Sequence, residues 1–176
     1  MLGKEASIHL IFSMIFNQSC KSEFAFRAPK ELLKRLAMQS YDLYEIETTG
    51  YDALYNAISA KPCLHRFPSV MAKYIYNSIL TINREYNSDS RNIWRNKSDT
   101  EILKELTKLN GIGHHKAVQC LIYLNVLGEL SEVSQKYIDY MSEKCAGFFA
   151  NIDNDLQSIR LLSYDAKEQA HDNPNP

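Results

Sequence analysis

Apolar residues recur at helical spacing along nearly the whole chain, and the stripes they form predict the elements. Ile8, Ile11, Phe12 and Ile15 mark a first helix over 5–16 that buries one face. Leu32, Leu33 and Leu36 mark a second, opened by Pro29 and carrying Lys30, Lys34 and Arg35 outward. Ala53, Leu54, Ala57 and Ile58 predict a third over 51–60, closed by Lys61-Pro62. Pro68 starts a longer one, with Met71, Ile75, Ile79 and Ile82 inward. After a turn at Asn87–Ser90, Ile93 and Trp94 read as anchors that fix the next connection to the core. Val133, Tyr137 and Met141 predict a helix over 131–145, and 154–162 predicts the last. The expected architecture is an all-α single domain over 1–162.

Within this pattern one stretch stands apart. Ser98 and Glu101 form a capping box that starts a helix running to about Lys108. Leu109-Asn110-Gly111-Ile112-Gly113 stops it, and a second helix begins at once, with Ala117, Cys120, Leu121, Leu124 and Leu127 on one stripe. Gly111 and Gly113 permit positive φ and close backbone approach, while the apolar Ile112 plugs the space beneath the turn. The amides that open the second helix have no partner in the helix, so they offer an anion site. Lys116 and the pair His114-His115 add charge beside it. Such amides read a phosphate and no base edge, so the ligand they suit is a nucleic-acid backbone. A helix–helix turn with no ligand remains the alternative.

Charge and composition narrow the picture. The 176 residues are 45% hydrophobic and 11% aromatic, enough for one sizeable core. The net charge of −1 conceals an asymmetry. Residues 1–128 hold 16 Lys and Arg against 12 Asp and Glu, while 129–176 hold 4 against 9, so an anion-binding face belongs to the first part. The composition from Ser163 turns polar and ends Asn-Pro-Asn-Pro, which predicts a disordered tail over 163–176. Cys20, Cys63, Cys120 and Cys145 are too widely spaced for a C-x-x-C metal or redox site. No cofactor or metal is expected, and a reducing cytoplasm fits best. The apolar run at 8–16 is too short to span a membrane. The expected state is a monomer.

Leu109 to Ala117, L-x-G-I-G-x-x-K-A, resembles the helix-hairpin-helix signature of DNA-binding and repair proteins, with Asn110 where proline is usual. Ahead of it, Ile15-Phe16-Asn17-Gln18-Ser19, Phe26-Arg27-Ala28-Pro29, His65-Arg66-Phe67-Pro68, Tyr86 and Ile93-Trp94 resemble the layout of the endonuclease III-like (HhH-GPD) DNA glycosylases over about 5–130. The resemblance implies a helical fold, double-stranded DNA as partner and base-excision repair as the setting. It implies that Gln18 reaches into the duplex where a base has left the stack, although Asn17-Gln18-Ser19 also reads as a simple helix end. It places His65 and Arg66 near phosphate; an exposed helix-entry loop is the alternative.

The chemistry of that family is matched only in part. Its iron–sulfur cysteines near the C-terminus are absent. Its catalytic acid, an aspartate beyond the second hairpin helix, has no aspartate counterpart between Lys116 and Tyr137; Glu129 and Glu132 stand there, with Glu132 preferred as lying at the next helix start. Both also read as helix-dipole partners. Bifunctional members attack the sugar with a lysine two residues after the second glycine, where this chain has His115, so any excision is expected to be monofunctional. A catalytically inactive DNA-binding or damage-recognition module and a helical protein-interaction adaptor are the competing expectations.

Overall fold

The computed structural model describes the backbone of residues 1–171 and the side-chain surroundings through Leu162. Among these residues eight α-helices and one 3-10 turn account for the regular structure, with no strand. At the centre lies α1 (Lys4–Phe16), in which every residue from Ala6 to Phe16 is buried. One buried face was expected, but the helix is enclosed on all sides. The reason is visible in its composition, since Ala6, Ser7, His9 and Ser13 are small or internally bonded and let neighbours approach. Ser7 and Ser13 return their hydroxyls to Lys4 and His9 carbonyls at 2.7 and 2.8 Å.

α2 (Ser22–Arg35), α4 (Pro68–Glu85) and α8 (Phe148–His171) surround α1, together with the 3-10 turn Ser90–Ile93. Pro29 falls inside α2, where a start had been expected. Interior proline removes one backbone bond and costs about 3 kcal/mol. Burial of Ala25, Phe26, Leu32 and Leu33 on either side offsets it, since a fully buried large apolar side chain contributes about 1.5–3 kcal/mol. α3 (Leu43–Ser59) begins earlier than its apolar stripe suggests, because Asp42 caps the amides of Tyr44 and Glu45 at 3.0 and 3.1 Å. Gly50, at φ 81° and ψ 171°, divides it into two helical pieces.

Pro68 is the first residue of α4, and its expected stripe is fully buried. Ile93 and Trp94 are core residues, as the spacing implied. The hairpin follows as α5 (Asp99–Leu106) and α6 (His114–Val126), packed on each other, with the Ser98–Glu101 capping box formed in both directions. α7 (Gln135–Lys144) starts four residues later than expected. α8 starts earlier than Asn154, after Gly147 at φ 79°, and buries Phe148, Ile152, Leu156 and Ile159 on one stripe. Its backbone continues through Ser163 to His171; the rest of the expected tail, 172–176, lies outside the described residues. Among the described residues no helix is long and apolar enough to cross a membrane.

Candidate nucleic-acid interface

The hairpin turn is built from below. Leu109 and Ile112 are buried, so the turn is pinned to the core by the residues flanking Gly111. Gly111 has φ 86°, and a Cβ there would lie 2.6 Å from the Tyr74 ring. This glycine is demanded twice, by conformation and by the close approach of α4. Gly113 differs from the expectation. It sits at φ −84° and ψ 178°, extended backbone open to any residue, with no atom within 4 Å of its Cβ direction. Its absent side chain serves instead to leave the first-turn amides of α6 uncapped and exposed to solvent.

His114 and His115 are exposed on that first turn, their rings 5.5 and 5.9 Å from the ring of Tyr140 on α7. Sequence reasoning missed Tyr140, which only tertiary packing brings here. Lys116 turns inward, and its ammonium donates to the carbonyls of Gly111 at 2.9 Å and Ile15 at 3.2 Å. Burial lowers its pKa to about 8, so at neutral pH it is still mainly charged. It therefore stands behind the hairpin amides as a fixed positive charge and is not a side chain reaching out to phosphate.

Two further loops meet at the same end of α1. His65 is 5% exposed, which corrects its reading as a phosphate contact. Its Nε2–H donates to the Gln18 carbonyl at 2.8 Å, and its Nδ1 accepts from the Phe67 amide at 3.1 Å, so both ring nitrogens are occupied. Gln18 is half-buried beside it. Arg66 is exposed, its guanidinium 4.7 Å over the ring of Phe67, and Phe67 is 44% exposed. An aromatic ring held out at a helix entry, with a cation stacked on it, was not singled out from the sequence. Exposed aromatic residues give no periodic signal.

The acid positions behave differently from expectation. Glu129 is committed to structure: its carboxylate accepts the Trp94 indole N–H at 3.0 Å and the Leu2 amide, and its side chain is 4% exposed. Glu132 is exposed but lies ahead of α7 and outside it, so the helix-start argument for it does not hold. The carboxylate at the start of α7 comes from α5. Asp99 Oδ2 accepts both the amide and the hydroxyl of Ser134, at 2.8 and 2.7 Å. No local sequence signal links residues 35 positions apart.

A cleft of about 1040 Å³ opens between α1, α2 and α8. It is lined by Glu5, His9, Phe26, Tyr41 and Ser158 and reaches no hairpin residue. Its polar floor is internally satisfied. His9 Nε2–H donates to the Phe26 carbonyl and its Nδ1 accepts from the Tyr41 hydroxyl, both at 2.8 Å. Desolvation lowers the His9 pKa to about 4, leaving a neutral ring. Among the described residues no group of three or more His, Cys, Asp or Glu side chains converges to hold a metal ion. No protein-family model, curated protein or solved structure matches the chain.

Proposed function

We propose that the chain binds duplex DNA along its sugar–phosphate backbone, as a helix-hairpin-helix module of the HhH-GPD type. The observation that carries this reading is the meeting of three loops at the C-terminal end of α1. His65 ties the loop before α4 to the loop after α1 at 2.8 Å, and Lys116 ties the hairpin to the last turn of α1 at 3.2 Å. There the amides of Gly113, His114 and His115 receive one phosphate, with the Lys116 ammonium behind them. Arg66 receives another. Phe67 presents an exposed apolar ring beside Arg66, the kind of wedge that enters a base step and bends or opens it. Because few phosphates are neutralised, affinity should fall with salt on a shallow slope, with a log–log value of about −2 to −3. Titration of a fluorescent duplex at several salt concentrations tests this. A complete lack of binding at low salt would remove the reading.

One observation favours a second reading, base excision. A carboxylate is held at the start of α7, after the second hairpin helix, and it belongs to Asp99. If duplexes carrying uracil, hypoxanthine, alkylated purines, oxidised guanine or hypermodified bases are converted to abasic sites, Asp99→Asn should lower the rate by about 100- to 1000-fold, the usual cost of losing one electrostatic contributor. Glu132→Gln should leave it unchanged. The reverse ranking would return the chemistry to Glu132. Excision without any covalent adduct on borohydride treatment is expected, since His115 occupies the place of the attacking lysine and Lys116 faces inward.

A further inference from the structure

Beside the hairpin surface, the outer face of α3 and α4 carries a group of aromatic rings that the duplex reading does not use. Tyr51 and Tyr55 lie one helical turn apart on the second piece of α3, with ring planes 14° apart and centroids 6.3 Å apart. Tyr76 of α4 meets Tyr51 edge-on at 6.5 Å. Tyr55 is 38% exposed, and Phe67 and Val70 at the start of α4 are exposed as well. The group is continuous with the candidate interface: the Tyr51 hydroxyl lies 3.4 Å from both the hydroxyl and the carbonyl of Ser69, two residues after Phe67.

Cations outnumber acids in the segment that carries and follows these rings, although the exposed Asp52 lies between Tyr51 and Tyr55. From residue 53 to residue 84 the chain contains Lys61, Arg66, Lys73 and Arg84 and no aspartate or glutamate, Asp52 being the last acid before it. Lys61, Arg66, Lys73 and Arg84 are all exposed. Lys73 lies between Ser69 and Tyr76 at helical spacing, so it emerges on the face where Tyr51 rests. A ring pair with Tyr55 exposed, followed by a segment richer in cations than in acids, suits a polyanion with flat apolar groups. In a duplex those groups are hidden; in an unpaired strand they are free to stack on an aromatic side chain.

We propose that the Tyr51–Tyr55 face binds unpaired nucleotides that continue from the duplex held at the hairpin, so that the preferred ligand is a junction between double-stranded and single-stranded DNA. This rests on the duplex reading. Tyr55 offers its open face to a base, Tyr51 backs it, and Lys61 and Lys73 meet the phosphates of the unpaired strand. Phe67 stands where the two regions meet.

The test compares a blunt duplex with the same duplex carrying a tail of about ten unpaired nucleotides, within the span such sites cover. Fluorescence anisotropy at fixed salt gives both affinities for the parent, Tyr55→Ala and Tyr55→Phe. The expected result is about ten-fold tighter binding of the tailed duplex by the parent and by Tyr55→Phe. Tyr55→Ala should lose that advantage while binding the blunt duplex as the parent does. Equal affinity of the parent for the two ligands overturns the proposal and leaves duplex binding standing. A tail advantage undiminished in Tyr55→Ala also overturns it, by placing the unpaired strand elsewhere. Binding of neither ligand overturns this proposal and the duplex reading together.

Discussion

Two glycines two residues apart perform separate tasks, and single substitutions distinguish them. At Gly111, Ala must adopt φ 86° and place its methyl 2.6 Å from Tyr74, so Gly111→Ala should destabilise the fold by about 1–3 kcal/mol and lower the melting temperature. Gly113→Ala meets neither obstacle and should change stability by less than about 1 kcal/mol. Its methyl would instead enter the open space beside the amides offered to phosphate, where a bound phosphate group would approach. The two variants should thus separate in thermal melts, and equal melting temperatures would contradict the account of the turn. From the sequence both glycines looked alike, as carriers of positive φ. What separates them is the positive φ of Gly111 and the ring of Tyr74, supplied from another helix.

The helix that sets the stability of the whole is α1, and its one titratable side chain in the core gives it a pH signature. His9 has a folded pKa of about 4 against an ordinary value near 6.5. Between those values the unfolded chain takes up a proton that the folded chain refuses, so stability is complete above about 6.5 and falls as the pH drops toward 4. His9→Gln keeps a donor and an acceptor without titrating, and its stability should fall less steeply across that window. Parallel curves for parent and variant in urea unfolding would show that His9 is not the group responsible. The amphipathic elements were readable by spacing: the α4 stripe, the capping box of α5 and the anchors Ile93 and Trp94 lie where apolar periodicity and cap chemistry put them. α1 itself was read as half-exposed, because periodicity reports one apolar face and does not report that small, self-bonded polar residues close the others. Pro29 misled for a related reason, since the preference of proline for a first turn is weaker than the burial on both sides of it.

At the scale of the molecule, the three loops that carry the proposed DNA contact are far apart in sequence and are joined by two polar contacts to carbonyls at the end of α1. That union was anticipated only through resemblance; spacing alone reached the hairpin. The inward turn of Lys116, the full burial of His65 and the commitment of Glu129 to Trp94 depend on packing between distant helices, which no local pattern encodes. Charge divides along the chain, although α7 of the acidic part lies against the hairpin through Tyr140. The part of the chain that holds the loops is net positive, while 129–176 is net negative. The central claim is that hairpin amides hold a DNA phosphate, and Gly113→Ala tests it most directly, through duplex affinity measured by fluorescence anisotropy at low salt beside a thermal melt of the same sample. The account predicts an unchanged melting temperature and affinity weaker by about ten-fold, the scale of one charge-assisted hydrogen bond. A variant that melts and binds as the parent does would contradict it.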